Sequence, residues 1–183
     1  MSKSRLPTSY ANRGKWLERI VEHVCLTAIE RGEAVIVKQE TPYALPRVGV
    51  DGLRCLVRKR STVDYIGVVG GIPIAFDAKS ENVPRLPIRN VKKHQVDFLA
   101  AFARARGLAC LLVAFGRHDV YLADIRWWIH QCAAAAAAGR KSVSADVFAA
   151  ARPQLVVPVV QARGYVLDIP GAAAALALHK ERE

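Results

Sequence analysis

Ser61-Thr62-Val63-Asp64-Tyr65-Ile66-Gly67-Val68-Val69-Gly70-Gly71-Ile72-Pro73-Ile74-Ala75-Phe76-Asp77-Ala78-Lys79 is the stretch on which the reading of this chain turns. Two β-rich runs, Ser61 to Val69 and Ile72 to Lys79, flank a Gly-Gly pair. Such a pair suits a two-residue hairpin turn, whose backbone needs positive φ. Val69 then faces Ile72, and counting back from the turn sets Asp64 opposite Asp77 and Thr62 opposite Lys79. Side chains alternate along a strand, so Asp64, Asp77 and Lys79 share one face while Tyr65 meets Phe76 on the other. The two acids fall at a non-hydrogen-bonded pair, where Cα atoms approach to about 4.5 Å. Pro73 falls at another such pair, where its missing N–H costs the ladder nothing. A bulge would shift this pairing by one residue.

Outward from the hairpin, residues Asn12 to Arg31 carry Leu17, Ile20, Val21, Val24 and Ala28 at helical spacing, with Gly32 as a stop. Glu33 to Gln39 reads as a short strand. Thr41-Pro42 opens an irregular excursion, residues 42–60, containing Pro46, Gly49 and Gly52. On the other side, Ser80 to Arg89 reads as a proline-punctuated loop and Asn90 to Arg106 as a helix. Leu108 to Phe115 and Asp119 to Ala123 read as strands. The order predicts an α/β fold with an αβββαβ core, a mixed central sheet flanked by helices. Asp124 to Ala138 reads as a helix ending in an alanine run, and Val156 to Asp168 holds one or two strands. Ala172 to Glu183 reads as a terminal helix with a charged, fraying end. The expected organisation is one domain over residues 1–170, with residues 171–183 as a helical tail.

A chain of 183 residues, 52% hydrophobic and 23% charged, has globular composition and buries a core without staples. No apolar run is long enough to span a membrane, and Met1 to Pro7 lacks the apolar centre of a leader, so a cytoplasmic protein is expected. Cys25, Cys55, Cys110 and Cys132 have no paired spacing and read as reduced thiols. The 27 lysines and arginines against 16 acids leave a net charge of +11, which points to a polyanionic partner, most often nucleic acid.

Chemistry is concentrated on the hairpin. Taken singly, Asp64 reads as a surface strand residue and Lys79 as an edge residue that discourages strand pairing. Two carboxylates set opposite each other repel, costing roughly 0.2–1 kcal/mol on an exposed face and more when buried. A cation between them reverses that cost, and all-oxygen ligation suits Mg²⁺ or Mn²⁺. Lys79 is placed to orient a water or offset charge on a phosphate. Carboxylates, metal and lysine together match phosphodiester hydrolysis.

Ser61 to Gly67 followed by Phe76-Asp77-Ala78-Lys79 resembles the Asp…(Asp/Glu)-X-Lys signature of the PD-(D/E)XK nucleases. The string Ser-Thr-Val-Asp-Tyr resembles the RecU-type Holliday junction resolvases more closely. Asn12-Arg13-Gly14-Lys15 with Leu17-Glu18, Thr41-Pro42, His94-Gln95 and Gly139-Arg140-Lys141-Ser142 match that family in order. The resemblance implies a restriction-endonuclease-like fold and Asp64, Asp77 and the Ala78 carbonyl as metal ligands. It further implies Lys79 as the catalytic lysine, Glu18 reaching the site from the first helix, and Gln95 approaching from the second. Glu18 reads equally as a solvent-facing helix acid, and Gln95 as a surface amide. The family more often carries Glu where this chain has Asp77.

The resemblance also makes the excursion a stalk that enters a four-way DNA junction. Arg54, Arg58, Lys59 and Arg60 lead from it into the active strand, where Thr62 follows; Arg13 and Lys15 open the first helix. All are candidate DNA contacts, since phosphate-binding cations position DNA without reading sequence. A basic solvated loop is the plainer alternative. Paired cuts in a two-fold junction call for a homodimer. The helix with Trp127, Trp128 and Ile129 is a candidate interface, with core burial as the alternative. The expected partner is four-way junction DNA, with no membrane and no organic cofactor, in a bacterium or its phage. A general repair or restriction-like endonuclease of the same superfamily, or a non-catalytic junction-binding protein, are the competing readings.

Overall fold

The glycine-linked hairpin is the middle of a six-stranded sheet in the computed structural model, which describes residues 13–39, 47–49, 52–54 and 62–180. Its elements begin with α1 (Arg13–Glu30), β1 (Ala34–Lys38), β2 (Arg47–Gly49), β3 (Gly52–Arg54), β4 (Tyr65–Val69) and β5 (Ile72–Glu81). Then come β6 (Arg85–Pro87), α2 (Lys93–Arg104), β7 (Leu108–Phe115), β8 (Asp119–Asp124) and α3 (Ile125–Ala137). The chain closes with β9 (Ser142–Ser144), α4 (Ala145–Ala149), β10 (Val156–Pro158) and α5 (Ile169–Lys180). The large sheet runs β1-β4-β5-β7-β8-β10. Its β5–β7 pair is parallel and the others are antiparallel, so the sheet is mixed, as the element order predicts.

The turn chemistry sets the register. Gly70 and Gly71 have φ of 54° and 85°, and Val69 pairs with Ile72 through to Tyr65 with Phe76. Val68 pairs with Pro73, so the proline takes the position foreseen for it. Tyr65 and Phe76 stack with centroids 4.9 Å apart. There is no bulge between the turn and this pair.

Two cores lie on the two faces of the sheet. On one, Leu17, Val21 and Val24 of α1 and Ala172, Ala173 and Leu176 of α5 cover Phe76, Cys110 and Leu112. On the other, Leu99 of α2, Trp127 and Trp128 of α3 and Phe148 of α4 cover Ala75, Leu111 and Val113. All eight residues of β7 are buried, which is why that run is apolar without alternation. Side chains such as Leu99, with no exposed surface, each contribute about 1.5–3 kcal/mol through burial.

Four expectations are corrected. The first hairpin strand starts at Tyr65 and not at Ser61; Thr62, Val63 and Asp64 bend away from the ladder. The excursion is not wholly irregular, since β2 and β3 pair as a small antiparallel hairpin. The segment Ser80 to Arg89 is no simple loop: β5 continues to Glu81 because β7 pairs with it that far, and β6 pairs with the distant β9. The C-terminal helix begins at Ile169 and not at Ala172, and it packs in the core through Ile169, Ala173 and Leu176. Trp127 and Trp128 are buried, Trp127 meeting Phe148 edge-on at 4.8 Å, so core packing uses the tryptophans of the candidate interface helix.

Gly67 stands opposite Ile36, and a Cβ there would lie 2.0 Å from the Val35 carbonyl oxygen. Gly67→Ala therefore has to separate β1 from β4, with an expected loss of about 1–3 kcal/mol of stability in urea unfolding. An alanine variant as stable as the parent would show that this edge yields freely.

Candidate active site

β5 carries Asp77 and Lys79 on the face that α2 covers, because alternation sends Phe76 and Ala78 to the α1 side. β4 stops pairing where Asp64 begins the bend. The ladder would assign the Ala78 N–H to a backbone carbonyl of β4. Instead that N–H donates to Asp64 Oδ2 at 2.9 Å, so the side chain replaces the missing backbone acceptor. The bend therefore orients the first carboxylate toward the second.

Asp77 has no exposed surface. Gln95, in the first turn of α2, donates from Nε2 to Asp77 Oδ1. The same amide accepts the Lys92 N–H at its Oε1, 2.9 Å away, which satisfies a free helix-end donor and fixes which end of the amide faces the acid. The other oxygen, Asp77 Oδ2, is enclosed and faces the Lys79 ammonium at 2.5 Å, a charge-assisted contact. Burial pushes the Asp77 carboxyl up to about 7; Lys79 opposes this shift and nearby Asp64 adds to it.

This donor set fits a divalent cation. A buried carboxylate balanced by a single ammonium and a second, oriented carboxylate offer hard oxygen ligands. Among the described residues no group of three or more His, Cys, Asp or Glu side chains forms a metal cluster. A sparse set of this kind suits an ion that keeps waters and takes substrate oxygens.

The structure thus brings together Asp64, Asp77, Lys79, Gln95 and the Ala78 backbone. Glu18 accepts from Lys38 Nζ at 3.0 Å, beside Glu22. Lys15 is exposed on α1, and Thr62 is half-buried in the bend, outside the ladder that would set it against Lys79. Arg13 opens α1 and Arg54 ends β3. Arg58, Lys59 and Arg60 lie outside the described residues. Sequence reasoning missed Glu81 and Asn90. Asn90 Nδ2 donates to Glu81 Oε1 at 2.6 Å and ties the turn before α2 to the end of β5. The alternation Asp77, Lys79, Glu81 was the available signal.

The family described as RecU, Recombination protein U, matches residues 12–165 of this chain. A Holliday junction resolvase RecU of Geobacillus kaustophilus (strain HTA426) is 34% identical over 151 residues, spanning 76% of this chain and 74% of that protein. One from Geobacillus sp. (strain WCH70) is 33% identical over 157 residues, spanning 78% of this chain and 76% of its own. Among solved structures, Hjc of Archaeoglobus fulgidus, a Holliday junction resolvase, has a TM-score of 0.40 at 14% identity. That likeness covers 60% of this chain and 77% of the other.

A carboxyl raised by folding binds its proton more tightly in the native state. Its contribution is complete below the unfolded value and is lost as pH rises through about 7. Metal-free protein is therefore expected to lose melting temperature between pH 5 and pH 8 through this group, and added Mg²⁺ to restore it at the upper end. Asp77→Asn should remove both the pH dependence and the Mg²⁺ response. A parent protein with a flat profile and no response would dismiss the site.

Proposed function

This chain belongs to the RecU family, and from that premise we propose that it is a Holliday junction resolvase, a DNA endonuclease that hydrolyses phosphodiester bonds at Asp64 and Asp77 with Mg²⁺, for which Mn²⁺ can substitute. The observation that carries the reading is the enclosed Asp77 carboxylate, held by Gln95 and facing Lys79, beside an Asp64 oriented by the Ala78 amide. Nothing in the packing of a strand calls for that arrangement.

In this reading Asp64, Asp77 and the Ala78 carbonyl hold the ion. When bound, it polarises the scissile phosphate and makes a water acidic enough to attack. Gln95 keeps Asp77 in place through its two hydrogen bonds, so the carboxylate needs no reorganisation when DNA arrives. Lys79, whose ammonium lies beside Asp77, would direct that charge to the phosphate oxygens and the attacking water. The cover of α2 over this face leaves Lys79 only 17% exposed, which strengthens its field at the phosphate. Glu18, paired with Lys38 opposite Tyr65 in the sheet, is the acid that α1 would bring to the site.

The net charge of +11 supplies affinity for phosphate backbones, with Arg13, Lys15, Arg54, Arg58, Lys59, Arg60 and Thr62 as contacts along the scissile arm. A four-way junction has two-fold symmetry, so a homodimer with one site per protomer delivers the two symmetric nicks. A cytoplasmic location goes with this reading and is supported by the bacterial relatives; among the described residues no helix is long and apolar enough to cross a membrane.

The test is a synthetic four-way junction incubated with and without Mg²⁺, with product lengths read on every strand. Symmetric nicks that require the cation are expected. Equal cutting of linear duplex would make the chain a general nuclease, and no cutting at any concentration would leave a binding protein. Asp77→Asn should abolish cleavage while junction binding persists. Lys79→Ala should lower kcat by about 10²–10³-fold, the usual consequence of removing one transition-state stabiliser.

A further inference from the structure

β6 and β9 form a two-stranded ribbon that no part of the proposed chemistry uses. Leu86 and Val143, opposite each other in it, are buried and anchor it beneath α2 and α3. The ribbon continues on one side into the turn Ile88–Asn90 and on the other into the loop that ends α3, where the Ile88 N–H donates to the Lys141 carbonyl at 3.0 Å. The two crossing segments enclose a groove of about 580 Å³ between them. Its floor includes Pro87 and Ile88, and its rim carries Arg85, Arg89, Arg140 and Lys141.

All four cations are exposed, and among the described residues none is paired with a carboxylate. Elsewhere in the chain, cations such as Lys38 and Arg163 have acids as partners. Four like charges drawn together by a ribbon and a helix-ending loop repel one another, and an anion relieves that repulsion. An isolated small anion needs one or two of them. Four along an open groove match a repeating anion, with planar guanidinium groups forking onto phosphate oxygens.

The groove is also tied to the candidate active site. Lys92 Nζ donates to the Arg89 carbonyl, and the Lys92 N–H is the group that Gln95 accepts while holding Asp77. Asn90, next to Arg89, holds Glu81 at the end of the strand that carries Asp77 and Lys79. We propose that this groove binds the sugar-phosphate backbone of duplex DNA flanking the cut, as a second contact separate from the cations around the hairpin. The inference rests on the nuclease reading for its choice of DNA as the polyanion. It assigns Arg85, Arg89, Arg140 and Lys141 to positioning the duplex, without any reading of bases.

The experiment measures the affinity of the full-length protein for a synthetic four-way junction over a range of salt concentrations, in EDTA so that no strand is cut. Each phosphate contact contributes about one unit to the slope of log K against log salt. Arg89→Gln with Arg140→Gln is expected to make that slope shallower by about two units, each single variant by about one, and equally on junctions of unrelated sequence. Arg140→Lys, which keeps the charge, should leave the slope unchanged. An unaltered slope in the single glutamine variants overturns the groove. A slope that falls on one sequence only overturns the backbone assignment. The cleavage assay on the parent protein separates the two readings. A parent that cuts junctions while the glutamine variants keep its slope retains the nuclease and loses the groove. A parent that cuts nothing while the variants lose slope retains the groove and loses the nuclease.

Discussion

Asp77 is a carboxyl without solvent, on one of the two strands that form the sheet's parallel seam, and its surroundings are organised around neutralising it. An unpaired buried charge costs several kcal/mol, so the group must be protonated, paired or bound to a cation. Each option is visible: a raised proton affinity, an ammonium 2.5 Å away, and a second acid that makes a cation welcome. Gln95 completes the enclosure from α2. The position of α2 is in turn set by Leu99 packing on the same face of the sheet. A site that binds its ion through few protein donors depends on this kind of packing, since there are no spare ligands to hold the carboxylates in place.

The bend at Thr62 to Asp64 shows how a break in regular structure supplies function. A strand that continued its ladder would give the Ala78 amide a carbonyl partner and leave Asp64 as one more alternating side chain. By leaving the ladder, the chain lets the Asp64 carboxylate take that amide, which positions it without a dedicated side-chain partner. Lys79 then sits two residues beyond Asp77 on the same face, close enough to balance it in the absence of metal.

Much of this was legible from local pattern. The glycine turn, Pro73 and the Tyr65–Phe76 pair all agree on one register, and the apolar run Leu108 to Phe115 marked the buried central strand. The helical spacing of Leu17, Val21 and Val24 located α1 to within a residue at each end. Helical spacing put Glu18 on α1 but tells only which residues share a face, so its Lys38 partner was not legible. β6 and β9 were missed for a related reason: each is three residues long, and neither is a strand without the other. The start of α5 was misplaced because Pro170 was an ambiguous sign, suited to the first turn of a helix as well as to a loop.

What the sequence by itself determined, then, was the register of the hairpin and the face shared by Asp77 and Lys79, since a tight glycine turn and strict alternation are local constraints. What only the tertiary structure decided was their environment: the burial of Asp77, the approach of Gln95, the bend that turns Asp64 to the Ala78 amide, the pairing of Glu18 with Lys38, and the gathering of Arg85, Arg89, Arg140 and Lys141 on one groove. These depend on how α1, α2 and the β6–β9 ribbon dock on the sheet. Docking sums many weak contacts between residues distant in sequence, and no local periodicity encodes that sum.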